Sequence, residues 1–107
     1  MYKVITEFDE FDVTVEVGRY FYGDNIALKL FTENDGIREL FAIITVNLAD
    51  YGILGQNKAF IDTNNCPWAE NFLKENGLGE PTGGYGTSGY CRYPLYDIFV
   101  NKIKGEE

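Results

Sequence analysis

Ile26-Ala27-Leu28-Lys29-Leu30-Phe31-Thr32-Glu33-Asn34-Asp35-Gly36-Ile37-Arg38-Glu39-Leu40-Phe41-Ala42-Ile43-Ile44-Thr45-Val46-Asn47-Leu48 reads as two extended segments joined by a tight turn. Ile26, Leu28 and Leu30 fall on one side of a strand, and Ala27, Lys29 and Phe31 on the other. That spacing of two is the period of a β-strand. Glu33-Asn34-Asp35-Gly36 is the turn, because Asn, Asp and Gly tolerate positive φ. The returning segment is expected to bury Leu40, Ala42, Ile44, Val46 and Leu48, with Glu39, Phe41, Ile43, Thr45 and Asn47 opposite. Apolar on both faces around its middle, it reads as a central strand.

Upstream, Phe11, Val13, Val15, Val17 and Phe21 share one face, while Asp12, Thr14 and Glu16 share the other. This is the pattern of a half-buried strand. Tyr2–Phe8 reads as a strand before it, and Gly23-Asp24-Asn25 as a turn after it. Downstream, 49–58 reads as a loop and Ala59–Asp62 as a short strand. One helix follows: Asn65 or Cys66 is placed to cap it, and Pro67 suits its first turn. Trp68, Phe72 and Leu73 form its apolar stripe, and Gly77 is placed for a left-handed C-terminal cap with Leu78 folding back. Residues 77–89 hold six glycines and read as a mobile loop. Tyr90–Val100 then reads as a strand, at an edge or bulged because Pro94 cannot donate to a ladder. The expected fold class is α+β: a twisted antiparallel sheet of about five strands with one helix on one face, as a single domain over 1–107.

Seventeen acidic residues face nine basic ones in 107 residues, for a formal charge of −8, and the pI is near 4.4. Aromatic residues make up 16% of the chain, so this acidity belongs to a folded domain and not to a disordered tail. A nucleic-acid binder needs a basic footprint, and none is present. Anionic membranes are disfavoured for the same reason. Two cysteines, Cys66 and Cys91, are too few for a disulfide framework, and the expected location is the cytoplasm.

The chain has no histidine. That excludes Ser-His-Asp and Cys-His catalysis and histidine zinc sites. Asp62-Thr63-Asn64 resembles the start of a calcium loop, but its sixth position would be Pro67 and its twelfth Leu73, so no metal and no cofactor is expected. Gly83–Gly89 lacks the lysine of a phosphate-binding loop. The expectation is a binding protein and not an enzyme.

The densest carboxylate run is Glu7-Phe8-Asp9-Glu10-Phe11-Asp12. With Glu16 it would form an acidic face. Tyr85 and Tyr90 would serve as contact anchors, because tyrosine offers area and a hydroxyl at low entropic cost. Two alternatives stand beside this reading. One is a ligand-binding or enzymatic pocket near the helix N-terminus, using Cys66, Asp62, Arg92 and Tyr90. The other is an oligomerising domain, a homodimer paired through the Pro94 strand.

Asn64–Glu70, together with Gly84–Tyr96, resembles a family of small uncharacterised proteins carried on bacterial conjugative elements, plasmids and phages. The likeness extends over about 25–99. That family is defined by sequence alone, so it assigns no catalytic residues. Leu48–Gly55, with Phe60-Ile61-Asp62, is similar to the opening motif of ArdA-type antirestriction proteins, which are acidic DNA mimics. The resemblance implies an anti-restriction or anti-CRISPR inhibitor whose acidic surface occupies a basic nuclease or CRISPR effector.

Overall fold

The computed structural model describes residues 1–55 and 57–106. It places two four-stranded antiparallel sheets against each other where one sheet of five strands was expected. The first sheet runs in order β1 (Tyr2–Ile5), β2 (Glu10–Arg19), β3 (Ile26–Asn34), β4 (Ile37–Ile43). The second runs β5 (Thr45–Val46), β6 (Lys58–Ile61), β8 (Cys91–Ile98), β7 (Gly79–Ser88). Two short helices, α1 (Ala69–Glu75) and α2 (Val100–Glu106), complete it.

The 26–48 stretch forms its hairpin around Asp35 (φ 53°) and Gly36 (φ 81°). Both central residues are left-handed, which matches the twist of the flanking strands. β4 is an edge strand, however, and not the central one. Phe31 pairs with Leu40 and Leu30 with Ala42, so Phe41 is an extra residue in the ladder. This bulge reverses the alternation. It turns Leu40 out to 55% exposure and packs the Phe41 ring 4.8 Å from that of Phe11 and 5.7 Å from that of Trp68.

Ile44 is where one sheet becomes the other. Its N–H donates to the Leu28 carbonyl, and its own carbonyl accepts from Asp62 N–H. A strand that changes sheets keeps the same alternation as a straight one, which is why a single sheet was expected.

The main core draws Val4, Val13 and Leu28 from the first sheet, Ile61, Tyr96 and Ile98 from the second, and Phe72, Leu73 and Ile103 from the helices. Each fully buried Leu, Ile or Phe contributes about 1.5–3 kcal/mol. Phe21, assigned to the buried face by the alternation, is instead fully exposed in the turn after β2. That turn is fixed by Asn25, which is buried. Its Nδ2 donates to Asn47 Oδ1 and the Gly52 carbonyl, and its Oδ1 accepts from Leu54 N–H.

Within the expected loop 49–58, a 3₁₀ turn spans Ala49–Tyr51, Lys58 already belongs to β6, and Gln56 lies outside the described residues. Helix α1 begins later than expected, with Trp68 at its N-cap and no side-chain cap. Asn65 instead donates its backbone N–H and its Nδ2 to the Asp62 carboxylate. The C-terminal cap is as expected: Gly77 has φ 65°, and buried Leu78 donates back to Leu73.

The glycine-rich segment is strand β7, paired with β8 along most of its length. At Gly79 and Gly86 it runs too close to its neighbours for a side chain, while Gly83 has open space and a positive φ of 91°. A Cβ on Gly86 would lie 2.7 Å from the Phe60 ring and 2.8 Å from Leu48. The second sheet thus curls over a small core of Leu48, Phe60 and Tyr93. β8 lies between β6 and β7, but its ladder with β6 ends at the Phe60–Leu95 pair, so Pro94 is paired on the β7 side alone, with Tyr85. The register of this ladder shifts in β7, between Pro81 and Tyr85.

Candidate binding surface

The β2–β3 ladder stops at the Thr14–Phe31 pair. Continuing the same register would set Asp12 against Glu33. Like charges directly opposite are destabilising, and beyond the Thr14–Phe31 pair each strand is bonded only on its far edge. β2 continues with β1, pairing Asp12 with Lys3 and Glu10 with Ile5. β3 continues with β4, pairing Thr32 with Glu39 and Glu33 with Arg38. The two hairpins therefore fork. Between the prongs lies a cleft of about 370 Å³, lined by Glu10, Phe11, Asp12, Thr32, Glu33, Asn34 and Phe41.

The turn of the first prong is closed by local hydrogen bonds. Thr6 N–H and hydroxyl both donate to the Asp9 carbonyl, Asp9 N–H donates back to the Thr6 hydroxyl, and the Asp9 carboxylate accepts from Glu10 N–H at 2.7 Å. This leaves Glu7 and Asp9 exposed at the tip. Glu10 and Asp12 share one cation, Lys3, at 3.9 and 3.3 Å. The second prong carries Glu33, Asp35 and Glu39. Seven carboxylates (Glu7, Asp9, Glu10, Asp12, Glu33, Asp35, Glu39) thus share this end of the sheet with Lys3 and Arg38. Exposed ion pairs of this type contribute only about 0–1 kcal/mol, so Lys3 holds Glu10 and Asp12 weakly, and Arg38 pairs with Glu16, outside the seven.

Of the residues singled out in the sequence, Glu7, Asp9, Glu10 and Asp12 come together on the first prong. Glu16 lies further along β2, paired with Arg38 at 2.9 Å. Tyr85 and Tyr90 belong to the other sheet. Tyr85 is half-exposed with the Arg92 guanidinium 3.8 Å from its ring centre, and Tyr90 projects fully from the β7–β8 turn. Sequence reading missed Glu33, Asp35 and Glu39 as site residues, and Phe11 and Phe41 as the apolar wall. The available signal was that both acidic turns connect antiparallel neighbours and so must meet at one end.

Of the residues of the pocket alternative, Cys66 and Asp62 lie together, with Cys66 N–H donating to the Asp62 carbonyl. Cys66 is buried, and burial followed by the Asp62 charge pushes its thiol up, away from the reactive thiolate. The Asp62 carboxylate is occupied by Asn65, Arg92 lies on Tyr85, and Tyr90 faces solvent. Among the described residues no three His, Cys, Asp or Glu side chains are placed to hold a metal ion. No helix among them is long and apolar enough to cross a membrane.

No curated protein and no solved structure matches the chain. Residues 14–106 match the domain of unknown function DUF4313. The match begins within β2, so the prong carrying Glu7–Asp12 precedes it and the prong carrying Glu33–Glu39 lies inside it. With most of its length matched, the chain is a member of the DUF4313 family.

Proposed function

We propose that this chain is an acidic binding protein of a mobile element, docking its forked end on a basic, nucleic-acid-handling partner. The observation that carries the reading is the cleft between the hairpins, which puts carboxylates from both prongs around the Phe11 and Phe41 rings. A lysine or arginine of the partner would lay its stem or guanidinium on the rings and its charge among the carboxylates. Enzymes that grip DNA present such side chains in rows, so an inhibitor of the anti-restriction or anti-CRISPR class, acting as a DNA mimic, fits the surface. The likeness of Leu48–Gly55 to antirestriction proteins points the same way. Charge complementarity would speed association and make it salt-sensitive.

The test is a charge reversal of Glu10, Asp12, Glu33 and Asp35 to lysine, used as bait beside the wild type in host lysate at low and high salt. Recovery of basic nucleases by the wild type at low salt, and not by the variant, is expected. Equal recovery by a folded variant removes the proposal.

A further inference from the structure

A second cleft, of about 430 Å³, shares no lining residue with the cleft between the prongs, although its Arg38 belongs to β4 of the second prong. It lies beside Thr14–Glu16 of β2, which pair with β3 and not with β1, and α2 contributes Ile103 to it. Its floor is made of core side chains: Tyr2, Val15 and Ile103 are 9%, 5% and 1% exposed. Met1 forms a lip, and Thr14, Glu16 and Arg38 supply the polar side. Pockets of a few hundred Å³ with an apolar floor and a few convergent polar groups are the usual form of small-molecule sites.

The polar corner is specific. The Arg38 guanidinium carbon lies 3.6 Å from the centre of the Phe31 ring. The guanidinium gives one N–H to Glu16 Oε2 at 2.9 Å and retains others of its five. Glu16 keeps lone pairs of its own. A donor and an acceptor side by side recognise a planar group that accepts and donates side by side. An anion would meet a chain of charge −8, and a cation would compete with Arg38 for Glu16.

We propose that this cleft takes a neutral, mostly apolar small molecule ending in a carboxamide or lactam edge, its body on Val15 and Ile103 and its amide against Arg38 and Glu16. The site is a cleft apart from the one between the prongs and stands or falls separately from it.

Three isosteric probes test it: 2-naphthamide, 2-naphthoate and 2-naphthamidine, titrated into ¹⁵N-labelled protein. Saturable shifts of the Thr14, Val15, Glu16 and Ile103 amides with the naphthamide are expected, with the two charged probes at least about tenfold weaker. Arg38→Met and Arg38→Lys are exposed changes that remove the planar donor edge. Each should weaken naphthamide binding by about tenfold with the rest of the spectrum unmoved. Absence of saturable shifts at these residues, equal binding of the three probes, or unchanged binding by either Arg38 variant overturns the proposal.

Discussion

Tyr96 is the largest side chain that is fully buried, and its hydroxyl donates to Glu70 Oε1 at 2.6 Å. Burial, then this hydrogen bond and the Glu70 charge, push its pKa far above the ordinary tyrosine value. Burial is also the main cause of a raised value at Tyr20, and at Tyr93 the main cause is its bond with Cys91. Above about pH 10 the unfolded chain has given up protons that the folded chain keeps. Stability should therefore hold up to that pH and fall beyond it. Urea unfolding at a series of alkaline pH values should show this decline, and Tyr96→Phe should flatten it. At neutral pH the same variant should lose about 1–3 kcal/mol by leaving Glu70 without its donor. The two thiols offer a separate check. Cys66, buried and pushed up, should label slowly with iodoacetamide at neutral pH, while half-buried Cys91 reacts first. Fast labelling in a Cys91→Ser variant would contradict this placement.

At the scale of elements, the bulge at Phe41 and the close packing at Gly86 decide how the strands run. Phe41→Ala removes the ring between Phe11 and Trp68 and should cost roughly 2 kcal/mol. Trp68 is the only tryptophan, so its emission should report the loss directly. Gly86→Ala drives a methyl into Phe60 and Leu48 and should cost about 1–3 kcal/mol, read as a lower urea midpoint. Both positions also explain what the sequence could convey. The Ile26–Leu30 alternation, the Asp35-Gly36 turn and the Gly77-Leu78 cap are local signals and were legible. The Phe41 bulge breaks a period without any residue type that announces it. The change of sheet at Ile44 leaves the alternation intact. The glycine-rich stretch looks like a loop until Gly86 is known to lie against Phe60 and Gly79 against Asp97. Helix α2 was hidden because Val100 continued the apolar run of β8.

For the whole molecule, the charge of −8 is unevenly placed, with eleven of seventeen carboxylates in the first 62 residues. Seven meet at the forked end, where only one prong was legible as a site; the other needed the strand order. A surface of this sign repels itself. Added salt should raise the urea midpoint, since screening acts within about 10 Å at 0.1 M. The charge-reversed variant used to test docking should be no less stable than the wild type. A marked drop in its midpoint would mean that these carboxylates hold the fold together and do not simply face a partner. The opposite end of the first sheet behaves differently, because there Asn25 ties the β2–β3 turn to the segment after β5 through a buried amide. Leu54 sits in irregular backbone, yet its N–H is donated into a side chain only 3% exposed. In deuterated water that proton should persist beside those of the core strands, and Asn25→Ala should release it to exchange at the rate of an open loop.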